Sequence, residues 1–491
     1  MKNNNPKYII QILSTLFVLV SFSEVSSQVY PWNPLTKITF GYDDRNPSFG
    51  TKQDVSGYLF EDEFLTFERH VSDSTSYICV LKMDIHGASD SVIHITNDSN
   101  LNTNPSISYS YELQKAFVIW ESLRNGIVQL YGAFYNSNNG WSPEFLIDSS
   151  SQNKLHPRSV YLNSSNFAIC YEVNGDIRFV VFDAELQIGL MSLNLTSNES
   201  QPCSNPFITK TQNPAIFISY EKLKLNSEKE ICFTVTTNWT NWTLPDTIAY
   251  VGDNINEGFA GSFSSPTAIF SSDRSGRYRS YFTDTDGGQG ELVSNDFGVT
   301  YDFESFLFPI ITDGIHYYHA AAYLCKSDSV KVMMKEYFNN QDSVTLGDST
   351  SANTLTMNRG LKNGFDANVW VVFNKDSVGL SNLYGKSVRI IVTQVQQISS
   401  QIPVRFNLDQ NYPNPFNPIT KIKFDVPGNT SDVRLIIYDQ LGKEVELIFD
   451  KKLSGGSYEA TWNAGDLPSG VYFYKLISGD LSITKKLMLI K

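Results

Sequence analysis

The chain has 491 residues, 18% of them charged, and a formal net charge of −13. That length holds two or three domains, or one large repeat domain and a small one. Residues 1–27 and 401–491 each carry +1, which leaves −15 on residues 28–400, and so acidic a body argues against nucleic acid or anionic lipid as a partner.

Lys2 and Lys7 precede an apolar run from Tyr8 to Phe22, and Val25-Ser26-Ser27 supplies small residues before Gln28. This pattern reads as a secretory signal peptide over 1–27. The run falls short of the ~20 apolar residues that a membrane span needs. No transmembrane anchor is expected once it is removed. Cys79, Cys170, Cys232 and Cys325 sit in apolar, strand-like runs, where buried free thiols are common. Five cysteines at wide spacing make no disulfide framework, although a single bridge involving Cys203 stays open.

The next 370 residues or so repeat. Apolar runs end in a polar residue at Glu68, Glu121, Glu172, Glu221, Asp273, Lys326 and Asn374, at intervals of 53, 51, 49, 52, 53 and 48 residues. Periods of about 40–50 residues with four strands each indicate propeller blades. The runs are apolar almost continuously, as strands buried on both faces should be. Asn46-Pro47, Asn104-Pro105, His156-Pro157 and Asn205-Pro206 precede the first four runs. A proline cannot donate to a ladder, so these pairs are expected in the loop feeding the innermost strand. Lys37-Ile-Thr-Phe-Gly41 and Ser387-Val-Arg-Ile-Ile-Val392 are expected to share a sheet and close the ring.

Ala268-Ile-Phe-Ser-Ser-Asp273-Arg274-Ser-Gly276, followed by Asp284-Thr-Asp286-Gly287, resembles one repeat of the WD-like propeller family of the periplasmic Tol system. Trp120-Glu121-Ser-Leu-Arg124-Asn-Gly126 is a looser match. The resemblance implies fold and protein binding, not activity.

Candidate chemistry in this region is sparse. A recurring carboxylate is better read as a turn cap or backbone acceptor than as an acid–base pair, because catalytic pairs break repeat symmetry. Arg69, Arg124 and Arg274 follow the runs in three blades, and a guanidinium fork suits carboxylate recognition. They are the candidate ligand-binding residues. Sialidase-type propellers carry Ser-x-Asp-x-Gly-x-Thr-Trp turns, and Ser271-Ser-Asp-Arg-Ser-Gly276 misses that spacing by one. The stretch from Asp284 to Glu291 lacks ligand positions of a calcium loop and reads as a hairpin. His316 and His319 would point to opposite faces of a strand. No metal and no cofactor is expected.

The last segment alternates polar and apolar residues over 421–426, 433–438 and 457–462, and is rich in β-branched and aromatic residues over 470–476. About seven short strands in under a hundred residues read as an immunoglobulin-like sandwich. It opens on Asn411-Tyr412-Pro413-Asn414-Pro415-Phe416-Asn417-Pro418 and later carries Gly470, Tyr472, Lys485 and Lys486. These spaced elements resemble the type A C-terminal sorting domain of the type IX secretion system of Bacteroidetes. The resemblance implies the type IX machinery as partner, passage through the periplasm, and a final location at the outer-membrane surface or in the medium.

The expected architecture is all-β: a seven-bladed propeller over 28–397, a linker over 398–404, and the sandwich over 405–491. The expected role is non-enzymatic binding of an extracellular protein or glycan. The rival is a surface polysaccharide hydrolase or lyase of sialidase-like fold.

Overall fold

The computed structural model describes residues 27–29, 34–49, 62–84, 87–88, 92–110, 114–211, 215–260, 267–274, 279–284, 289–291, 300–309, 317–325, 329–336, 343–348, 355–363, 366–377, 380–392, 395–464 and 467–491. The chain divides into two compact units, and the larger spans Ser27–Val392.

Among the described residues the larger unit holds seven antiparallel sheets of four or five strands. Six run in simple chain order, here blades 1 to 6, with first strands Asp43–Phe49, Leu101–Ser110, Lys154–Asn163, Cys203–Lys210, Asn254–Ala260 and Thr300–Pro309. Blade 7 begins with Leu355–Asn363 and takes its outermost strands, Ser27–Val29 and Thr36–Lys37, from the other end of the unit. Each first strand lies against the first strand of the next blade, and Leu355–Asn363 lies against Asp43–Phe49. The ring is therefore closed. Lys37 pairs Tyr384, and the Ile38 amide donates to the Leu383 carbonyl at 2.8 Å, so the expected closing sheet is present.

The apolar runs are the second strands of the blades. Along blade 2, Phe117 and Ile119 join the cluster toward blade 3, while Val118 and Trp120 join the cluster toward blade 1. Both faces of the strand are buried because each neighbours another blade, which is why the run shows no polar alternation. The core of this unit is thus a set of interblade layers.

The X-Pro pairs lie elsewhere than expected. They sit within the first strands, at β-bulges between Arg45 and Ser48, Thr103 and Ser106, Leu155 and Arg158, and Ser204 and Phe207. Asn46, Asn104, His156 and Asn205 take left-handed φ of 47°, 51°, 53° and 47°. Asparagine and histidine are enriched in that region. The proline that follows has no amide to leave unpaired where the bulge interrupts the ladder.

The second unit contains Thr393–Lys491. Val395–Ser399 pairs with Ser457–Ala460, so these residues belong to the C-terminal sheet and not to the propeller or to a linker beginning at 398. The seven short strands expected are fewer and longer. Ile419–Tyr438 and Glu444–Asn463 form one hairpin of 20-residue strands that folds over at a register break between Val426 and Thr430. Its two halves supply both layers of a small sandwich around Phe424, Leu435, Ile437, Trp462, Tyr474 and Leu487. Glycine is needed at the fold-over: a Cβ on Gly455 would clash with the Gly428 carbonyl oxygen.

Candidate functional site

The opening motif of the tail is built around Asn411, which is 2% exposed. Its amide donates to the Tyr474 hydroxyl at 2.9 Å, and that hydroxyl donates to the Asp409 carbonyl at 2.7 Å. The Asn411 side-chain amide donates to the Pro413 carbonyl at 3.0 Å and to Thr420 Oγ1 at 2.9 Å. Phe416 is buried, 5.4 Å from the Trp462 ring, and exchanges backbone hydrogen bonds with Met488 and Ile490. The Asn414 side chain accepts from the Met488 amide, and the Gln410 side chain donates through its Nε2 to the Lys486 carbonyl. The Tyr472 hydroxyl donates to the Pro468 carbonyl. The start of the motif is thereby laced to the last strand, Leu481–Leu489. Tyr412, Pro413, Pro415, Asn417 and Lys486 remain exposed, and Tyr412 is 81% exposed.

Residues 410–491 match the family model described as the secretion system C-terminal sorting domain. The tail sends this protein to the cell surface or the medium. Its sequence resemblance to type IX sorting domains therefore stands, and so does the secretion machinery as a partner. Among solved structures, a protein of unknown function from Dyadobacter fermentans is 12% identical, with a TM-score of 0.42 over 73% of this chain and 97% of that one. A mutant of Trypanosoma rangeli sialidase displaying trans-sialidase activity is 8% identical, with a TM-score of 0.41 over 87% and 89%. A TolB-type protein of Agrobacterium tumefaciens is 13% identical, with a TM-score of 0.33 over 53% and 85%. Likenesses of this size say nothing about activity. No curated protein matches the sequence.

In the propeller, the recurring carboxylates turn out to be joints. Glu68 Oε1 accepts from the Asn46 side chain of its own blade at 2.7 Å and from the Asn104 amide of the next at 2.8 Å. Glu121 Oε1 repeats this with Asn104 at 2.9 Å and the His156 amide at 2.7 Å. Glu221 Oε1 repeats it with Asn205 and the Asn256 amide, both at 2.9 Å. Glu172 meets the His156 ring of its own blade at 3.2 Å. The bulge turns an amide and a side chain toward one carboxylate, and the carboxylate ties two blades together. Glu68, Glu121 and Glu221 are at most 6% exposed. Burial pushes the Glu121 carboxyl up, against the hydrogen bonds that favour its charged form.

Blade 5 departs from the expected alignment. Ser271 pairs with Ile255, the residue before Asn256, and so holds the place that Glu221 holds opposite Ser204. Asp273 lies two residues further and accepts from the Asp253 amide at 2.8 Å. Lys326, Gly276, Asp286, Gly287 and His316 fall outside the described residues. Thr283 pairs with Gln289 and Tyr281 with Glu291, so the strands on either side of 285–288 are antiparallel neighbours.

Each of the three candidate arginines already has partners in the protein. Arg69 grips Asp44 with both prongs at 2.8 and 3.0 Å, lies 3.9 Å over the Tyr42 ring, and is 5% exposed. Arg124 bonds Asp98 at 2.9 Å and Glu144 at 2.7 Å and lies 3.7 Å over Tyr131. Arg274 lies 4.4 Å over Tyr281, with Nε 3.3 Å from Ser272 Oγ. The Arg69 and Arg124 forks are filled by the protein's own carboxylates. A ligand carboxylate would have to displace them.

Cys203 and Cys232 are buried free thiols. Cys203 pairs across to Lys222 and Cys232 to Tyr220, on either side of Ile216–Leu223. Two strand spacings come to ~9.6 Å, beyond the ~7 Å limit between Cα atoms of a bridge. Among the described residues no group of three or more His, Cys, Asp or Glu is placed to hold a metal ion, and no helix is long and apolar enough to cross a membrane.

Proposed function

We propose that the propeller is a non-enzymatic binding module, for a protein or a glycan, carried out of the cell by its sorting tail. On this reading residues 1–27 are a signal peptide, the blades are WD-like repeats, and the host is a Bacteroidetes-like bacterium. The observation that carries the binding reading is the consumption of the best chemical candidates by the fold. Glu68, Glu121 and Glu221 are buried joints. Arg69 and Arg124 are paired with carboxylates. Acid–base work needs a carboxylate that can meet substrate and exchange a proton. A closed ring of loops and blades offers concave surface for binding.

The mature chain from Gln28 is to be screened against polysaccharide and protein panels for retention and for turnover. Retention without product is the expected result. Turnover abolished by a single carboxylate-to-amide change would defeat the reading and favour the hydrolase or lyase. Removing 404–491 in the native host is expected to strand the protein in the periplasm, and unchanged secretion would reject the route.

A further inference from the structure

A cleft of about 510 Å³ lies between blades 2 and 3. One wall is the 147–152 segment leaving blade 2. The other is blade 3, through Tyr171, Val173, Arg178 and Val180, with Gly189–Ser192 of its outer strand at the mouth. Tyr171 and Arg178 are paired across adjacent strands, so they share one face. Volumes of 300–1,000 Å³ suit a small ligand or one unit of a polymer.

The feature that needs an explanation is Arg178. It is half-buried in this cleft, and among the described residues its guanidinium makes no hydrogen bond and no ion pair. The cleft's own carboxylate is occupied. Asp148 Oδ2 takes the Tyr171 hydroxyl at 2.8 Å, and Oδ1 takes the Ser150 amide at 2.8 Å. Asp176, two residues before Arg178, accepts from Asn194 at 2.8 Å and Thr196 at 3.3 Å. Below the cleft, Lys154 is 0% exposed and spends its ammonium on Gln129, Ser150 and Gln152. That pin fixes the 150–152 wall. Every charged group around the cleft therefore has partners except the one that faces into it.

We infer that this interblade cleft binds a uronic-acid unit of a polysaccharide, with Arg178 taking the sugar carboxylate. A planar fork matches a carboxylate in two-point contact. Ser149, Ser150, Gln152 and Ser192 offer donors and acceptors for ring hydroxyls, and Val173 and Val180 offer an apolar wall for the C–H face. Gly189 has nothing within 4 Å of where a Cβ would stand, so the mouth is open for a chain to continue outward. The inference rests on the binding reading above and places the glycan in a cleft between two blades.

The test uses the full mature chain. Alginate, polygalacturonate and a glucuronate-bearing polymer are the acidic probes. Methyl-esterified polygalacturonate is the neutral control and a sulfated neutral galactan the second control. At least one uronate polymer is expected to bind, and the methyl ester at least tenfold more weakly. Arg178→Ala and Gly189→Phe should each lower that affinity at least tenfold. Neither residue supports the fold, so the melting temperature should stay within about 2 °C, the effect of a surface change. Undiminished uronate binding by Arg178→Ala, equal binding of the methyl ester, or preference for the sulfated polymer would overturn the inference and leave the binding function standing. Binding of a protein or neutral glycan but of no uronate polymer would do the same. Absence of all binding would remove both.

Discussion

The propeller and the tail use their buried polar residues in opposite ways. In the propeller one arrangement recurs: Glu68, Glu121 and Glu221 each join a bulge in their own blade to the amide of the next. In the tail nothing recurs. A single knot around Asn411 laces the opening motif to the core, and the neighbouring residues of that motif face solvent. Repetition marks what every blade needs in order to stand beside its neighbour. A motif that occurs once divides between support and display, and only its displayed half is free to be read by another protein.

The largest expected effect comes from the buried ion pair of blade 1. Arg69 and Asp44 are 7% and 0% exposed in their side chains. Arg69→Met leaves Asp44 as a buried unpaired charge, at an expected cost of about 3–5 kcal/mol, read by chemical denaturation. A cost below about 1 kcal/mol would mean that water reaches the pair and the fork is open to a ligand after all. Breaking a repeated joint should cost somewhat less. Glu221→Ala orphans the Asn256 amide, takes one of two hydrogen bonds from the Asn205 side chain and strips Lys229 of its carboxylate, for about 2–3 kcal/mol. Glu121→Ala should cost about the same. If one of the two instead abolished ligand binding with stability intact, the equivalence of the joints would be broken.

In the tail, Asn411→Ala removes hydrogen bonds to Thr420 and Pro413 at the edge of the sandwich core, again for about 2–3 kcal/mol. It is expected to lower export through misfolding, visible as protease sensitivity of the tail.

A smaller effect separates charge from packing. Burial raises the Asp98 carboxyl, but hydrogen bonds from Asn100 and Asn102 and the charge of Arg124 outweigh it and leave the group below its usual 3.8. A depressed folded value adds stability above the unfolded value, and that stability is lost as pH falls through the folded one. Asp98→Asn should therefore melt below wild type at pH 6–7, and the gap should close as pH drops below about 3.8. A gap unchanged down to pH 2 would assign the loss to packing.

Much of this architecture was legible because burial on both faces leaves a continuous apolar run, and seven such runs kept a period near 51 residues. Three points were not legible, each for a local reason. The Asn-Pro pairs suggested loops because proline breaks ladders, but a bulge with left-handed φ tolerates it inside an innermost strand. Asp273 was aligned with the acidic position because Ser271-Ser272-Asp273 offers three polar residues in a row, and only the strand register shows that Ser271 faces the bulge. Arg178 has no motif around it. Its signal was a lone arginine inside Ile177-Arg-Phe-Val-Val-Phe182, and its meaning depends on a wall contributed by residues 147–152 of another blade.

The finest test of the comparison is Tyr412. Its ring is 81% exposed, and its part in the fold is backbone pairing with Lys421, which any residue can make. Tyr412→Ala should leave the tail's stability within about 0.5 kcal/mol, as surface changes do. If the displayed half of the motif is what the secretion machinery contacts, export should fall even so, measured as the fraction of protein reaching the medium. An exposed aromatic is a favoured anchor at protein interfaces because it adds contact area at little cost in side-chain freedom. Loss of stability would move Tyr412 to the supporting half. Full export with full stability would mean that the machinery reads some other exposed part of the motif, with Asn417 and Lys486 the next positions to change.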